Sequence, residues 1–199
     1  MNAAAAINTI PQDGRTRRRI LAAAQKRFAV RGYRHTAIAD IAREAGLAAG
    51  TLYRYFADKE HLFRAVLEAL HEGWLARARE VLAQPGTPVE RLARLGHASI
   101  AFNRENPLIN SVFARDNEMI FAPLLDELHT RFTRANVALI ADVLRAGVED
   151  GSFHTSDPER AAYVLFMTGE VLSRNQHLYL YEDVLPVFQD VVMRGLLPR

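Results

Sequence analysis

Residues 51–55 read Thr-Leu-Tyr-Arg-Tyr, so one hydroxyl, two phenols and a guanidinium fall within five positions. Such groups hydrogen-bond phosphate oxygens and base edges. The planar fork of Arg54 matches the two acceptors of a guanine edge, while Ala49 and Gly50 just before it are small enough for close approach to a groove. Thr36 upstream and a helix start at Lys59 downstream extend the set. Thr36, Thr51, Tyr53, Tyr55 and Lys59 are expected on phosphates, and Ala49, Gly50, Thr51 and Arg54 on bases.

Bond-making chemistry has no comparable constellation. His71-Glu72 begins a zinc-protease pattern, but Leu75 stands where its second histidine is required. The chain has no Gly-x-Ser-x-Gly turn and no Gly-x-x-x-x-Gly-Lys loop, and its seven histidines lack ligand spacing. His154, Ser156 and Asp157 read as a loop and a helix cap. Without cysteine, disulfides and thiol chemistry are excluded. The expectation is a protein that is not an enzyme and carries neither metal nor cofactor.

The elements that must hold the polar set are two short helices and a turn. Ile38, Ile41, Ala42 and Ala45 recur at three- and four-residue spacing and give the first helix an apolar stripe. Gly46 follows the last of them, where a left-handed residue closes a helix, and Leu47 can pack back on it. The second helix, about 48–55, turns Leu52 and Phe56 inward and leaves 49–51, 53 and 54 elsewhere. This is a helix-turn-helix.

The order and spacing of residues around it resemble the TetR family of transcriptional regulators. The similarity starts in Thr16-Arg-Arg-Arg-Ile-Leu-Ala-Ala-Ala-Gln-Lys-Arg-Phe28 and includes Arg31-Gly32-Tyr33 and Thr36. It continues through Ile41-Ala42, Ala45-Gly46, Gly50-Thr-Leu-Tyr-Arg-Tyr-Phe56 and Lys59-Glu60-His-Leu-Phe63. Ala48 departs from the family's usual capping serine, a loss of about 1 kcal/mol. Ala49 departs from its frequent lysine or arginine.

Charge agrees with a DNA-binding N-terminal part. Residues 14–64 contain 12 Lys and Arg against four Asp and Glu, whereas residues 65–199 contain 13 against 18. The whole-chain net charge of +2 thus conceals a cationic module on a mildly acidic one.

The remainder reads as helical. Expected helices run over about 59–83 with Asp58 as cap, 87–105 with a Thr87–Glu90 capping box, 108–115, 123–149, 158–179 and 183–196. The predicted fold is all-α with about nine helices: a flexible arm over 1–13, a three-helix DNA-binding domain over 14–74, and a ligand-binding and dimerisation domain over 75–199. No apolar run is long enough to span a membrane and residues 1–10 do not read as a secretory signal, so a cytoplasmic location is expected.

The resemblance implies a small-molecule pocket in the second domain. Phe102, Phe113, Leu125, His129, Phe132 and Glu170 are the candidates, although apolar stripes of this kind are also ordinary core. It also implies pairing of the last two helices with a second subunit, consistent with their broad apolar faces and with a two-fold operator. The expected protein is a homodimeric repressor on palindromic double-stranded DNA, released by an unidentified small-molecule effector. A ligand-independent architectural DNA binder, or an enzyme with an appended DNA-binding domain, remains open at this point.

Overall fold

The computed structural model describes residues 14–112 and 122–174, together with 187, 190, 191, 195 and 196. Among the described residues there are eight helices and no strand: α1 (Gly14–Arg31), α2 (Ile38–Glu44), α3 (Ala49–Tyr53), α4 (Lys59–Ala83), α5 (Pro88–Glu105), α6 (Pro107–Val112), α7 (Ala122–Glu149) and α8 (Pro158–Arg174). The chain divides into two compact units, Met1–Ala69 and Leu70–Arg199. The expected arm, the end of the 108–115 helix, the end of the 158–179 helix and most of the 183–196 helix lie outside the described residues.

In unit 1, Ile20, Ala24 and Phe28 of α1, Ile41 and Ala42 of α2, Leu52 of α3, and Leu62, Phe63 and Val66 of α4 are all buried. Phe28 and Phe63 pack edge to face with ring centroids 5.0 Å apart, and Tyr33 packs on both. Aromatic pairs in this arrangement add to the gain from burial alone. The short helix α2 packs between α1 and the still shorter α3.

The turn between α2 and α3 is built as the glycine predicts. Gly46 has φ +66°. Leu47 N–H donates to Ala42 O at 2.8 Å and Gly46 N–H to Arg43 O at 3.0 Å, a pair of bonds that satisfies the last carbonyls of α2. Beyond it, α3 is shorter than the expected 48–55 because its end tightens. Arg54 and Tyr55 N–H donate three residues back, to Thr51 O and Leu52 O.

Unit 2 has a core of Ala78, Leu82, Leu95, Ala141, Val143, Leu144, Phe153, Ala162 and Leu196. Its helix starts match the sequence signals. Thr87 and Glu90 form the reciprocal capping box with Pro88 behind the cap, and Asp157 accepts from Arg160 N–H at 2.9 Å. At Asp58 the same device starts α4, accepting from His61 N–H at 2.8 Å. That bond, with the His61 side chain adding to it, lowers the Asp58 pKa.

Gly46 is the position where a side chain is least tolerable in unit 1. A Cβ there would meet Arg19 Nη2 at 3.1 Å as well as forcing an L-residue into the left-handed region. Gly46→Ala should cost roughly 1–2 kcal/mol. Amide exchange over residues 38–56 should accelerate while α7 remains protected, and unchanged exchange in that segment would contradict the assignment.

Candidate DNA interface and effector site

Helix α3 presents its small residues and its longest donors to solvent. Ala48, Ala49, Gly50, Tyr53 and Arg54 are exposed, Thr51 and Tyr55 are half-buried, and Leu52 and Phe56 are core. A Cβ on Gly50 would meet nothing within 4 Å. The large hydrophobic ring of Tyr53 stands 55% exposed although core space lies on the opposite side of the helix. No side chain caps α3, since Ala48 carries no oxygen. Thr51 N–H donates to Ala48 O at 2.9 Å, and no side chain accepts from the N–H groups of Ala49 and Gly50 as a cap.

Much of the basic residues' reach is turned inward. Arg19 Nη2 donates to Ala45 O at 2.6 Å, across 26 residues, and so holds the end of α2 against α1. Arg17 lies over the Phe56 ring at 5.6 Å. Lys26 and Arg27 each donate to Glu44 at 2.6 Å, and these two bonds lower the Glu44 pKa. Arg18 Nε donates to Gly14 O within its own helix.

Two residues expected on phosphates have other partners. Thr36 is buried, and its hydroxyl donates to Gly32 O at 2.7 Å, closing the link from α1 to α2. Lys59 Nζ donates to the carbonyls of Tyr33, Arg34 and Thr36 at 3.0, 3.4 and 3.2 Å, and lies 4.3 Å above the Tyr33 ring. An ammonium has three donors, and all three are used. Burial lowers the Lys59 pKa, and it raises that of Tyr33 with help from Glu60 and Asp58. Thr36 and Lys59 thus both build the loop that carries α2, with their side-chain donors on backbone carbonyls.

The effector candidates fall into linked contacts within unit 2. His129 Nε2 lies 3.0 Å from Glu170 Oε1, joining α7 to α8. One turn along α7, Phe132 stacks on His71 of α4 with ring centroids 3.9 Å apart. Asn136 donates to Phe132 O and accepts from Trp74 Nε1, and Trp74 packs on Phe102 at 5.6 Å. Leu125 is half-buried on α7, and Phe113 lies outside the described residues. His71 and Trp74 were not among the sequence candidates. Their spacing of three on α4, and that of four between Phe132 and Asn136 on α7, is the available signal. Among the described residues no group of three or more His, Asp or Glu could hold a metal, and no helix is long and apolar enough to cross a membrane.

Comparison with known proteins covers both units. Residues 20–66 match the profile of bacterial regulatory proteins of the tetR family, and residues 85–174 that of a tetracyclin repressor-like C-terminal domain. The chain is 30% identical over 147 residues to the HTH-type transcriptional repressor KstR2 of Mycolicibacterium smegmatis, covering 73% of this chain and 71% of that one. The structure of the ketosteroid regulator KstR2 of Mycobacterium tuberculosis superposes with a TM-score of 0.65 at 26% identity, over 92% of this chain and 95% of that one. FadR from Bacillus subtilis, in complex with stearoyl-CoA, gives 0.75 at 19% identity over 89% and 98%. The latter likeness is one of fold.

The geometry of Lys59 separates a structural role from a direct one. Lys59→Ala should speed amide exchange at residues 33–37 and weaken DNA binding, yet leave the log-log salt slope nearly unchanged. A direct phosphate contact would instead reduce that slope by roughly one unit.

Proposed function

The chain belongs to the TetR family of helix-turn-helix transcriptional regulators, and on that premise we propose a homodimeric repressor that binds a palindromic operator and is released by a small-molecule effector. Residues 14–74 serve as the DNA-binding domain and 75–199 as the ligand-binding and dimerisation domain. The observation that carries the proposal is the outward face of α3, where Ala49, Gly50, Tyr53 and Arg54 stand exposed on a helix anchored by buried Leu52. Arg54 meets base edges, Tyr53 and Thr51 fix register on phosphates, and the small residues permit close approach. Tyr55 and the backbone at the start of α4 add phosphate contacts.

Dimerisation draws support from apolar surface that the single chain leaves in water. Tyr163, Val164 and Val171 of α8 and the helical residues Val187 and Val191 are all more than half exposed. Large apolar side chains gathered on the C-terminal segments in this way favour association. A two-fold dimer also matches the symmetry of a palindromic site.

An effector acts by preferring one of two conformations. The helix α4 runs from Lys59 to Ala83, so the segment that carries His71 and Trp74 is continuous in the chain with the one that follows the reading helix. Similarity to a ketosteroid regulator favours a mainly apolar effector.

Selection of bound sequences from a random DNA pool should return a palindrome, and Tyr53→Ala should lose it with helicity intact. Sequence-independent binding would point to an architectural role. Val191 is 64% exposed, so Val191→Glu should cost the monomer little. It should abolish the dimer by burying an unpaired charge and its symmetry mate. Sedimentation as a monomer with much weaker operator binding is expected; an unaltered dimer would place the interface elsewhere.

A further inference from the structure

His71 is one of four residues of unit 2, with Arg91, Arg94 and Thr133, that have a buried side-chain polar atom without a hydrogen-bond partner among the described residues, and it is the one imidazole. Its ring lies flat on Phe132, with 17° between the planes, and its Nε2 is shielded from solvent with no hydrogen-bond partner among the described residues. Buried polar atoms are nearly always paired, because they lose water on burial. Three polar groups on α4 and α7 are matched elsewhere: Trp74 Nε1 donates to Asn136 Oδ1, Asn136 Nδ2 donates to Phe132 O, and His129 is paired with Glu170. None of them is the partner of this nitrogen.

We propose that His71 Nε2 is the polar anchor of the effector site, and that the effector is an uncharged, largely apolar molecule presenting one hydroxyl or carbonyl oxygen to it. This rests on the reading that unit 2 takes an effector. The apolar part follows from the rings of Phe132, Trp74 and Phe102 beside the anchor. The uncharged oxygen follows from the state of the imidazole. Burial, with the charges of Arg131 and Arg79 acting in the same direction, pushes the His71 pKa down to about 4. Both arginines are exposed, so their heads stay hydrated while the ring remains neutral. A neutral imidazole donates through one nitrogen and accepts at the other, so the tautomer adjusts to a carbonyl or a hydroxyl. It brings no positive charge to compensate the desolvation of a carboxylate.

The test uses full-length protein with nitrogen-15-labelled histidine and four probes. 2-Naphthol and 1-nonanol carry the oxygen, naphthalene lacks it, and 2-naphthoate charges it. An oxygen-bearing probe should shift the His71 ring nitrogens, and 2-naphthol should bind roughly ten-fold tighter than naphthalene. His71→Phe keeps the stack and removes the nitrogens, so it should equalise those two affinities. It should also raise the melting temperature of the free protein. The proposal is overturned if neither 2-naphthol nor 1-nonanol moves the His71 signals, if 2-naphthoate binds most tightly, or if His71→Phe keeps the preference for 2-naphthol or lowers the melting temperature. Operator release is measured in parallel. Binding at His71 without release would remove the effector role and leave the site, whereas a screened compound that releases the operator equally from His71→Phe would remove the anchor and leave the regulatory reading.

Discussion

A five-residue helix cannot hold itself in water, and the proposed reading face of this protein is such a helix. Isolated helices of fewer than about 12–15 residues are marginal even with favourable sequences, and α3 spans only Ala49–Tyr53 without a side-chain cap. Its order comes from outside. Leu52 and Phe56 bury its inner side, the left-handed Gly46 sets its entry, and Arg19 reaches from α1 to the Ala45 carbonyl at the last turn of α2. The outer side is thereby left to small and polar residues whose positions are fixed before any DNA arrives.

The same dependence changes how the cationic charge of residues 14–64 is understood. Arg17, Arg19, Lys26, Arg27 and Lys59 each have an internal partner, and only the Glu44 contacts involve an opposite charge. Carbonyls and rings fix a cation without neutralising it, so the positive field persists while fewer side chains are free to touch a phosphate. Such a field concentrates a polyanion near the surface, and geometry then decides the register. Basic residues here both build the module and attract its partner.

Local features were legible in the sequence and long-range ones were not. The Gly46 turn, the Asp58, Thr87 and Asp157 helix starts, and the apolar stripe of α7 depend on neighbours within a few positions, where spacing alone carries the information. Thr36 and Lys59 look like phosphate contacts by type, but their partners lie at Gly32 and across the loop at residues 33, 34 and 36, defined only once α1 and α4 pack. His71 read as the failed start of a metal pattern because Phe132, its stacking partner, lies on another helix. The Trp74–Asn136 bond spans 62 residues and has no periodic signature.

In the proposed mechanism one chain couples an effector to an operator. Coupling is reciprocal: whatever factor a compound takes from operator affinity, saturating operator must take from the compound's affinity. The direct measurement is the affinity of a compound found by thermal-shift screening, with and without saturating operator DNA. A loss of roughly 5–150-fold in both directions, by the same factor, is the predicted result. Equal affinity with and without operator for every compound that binds would contradict regulation by ligand release.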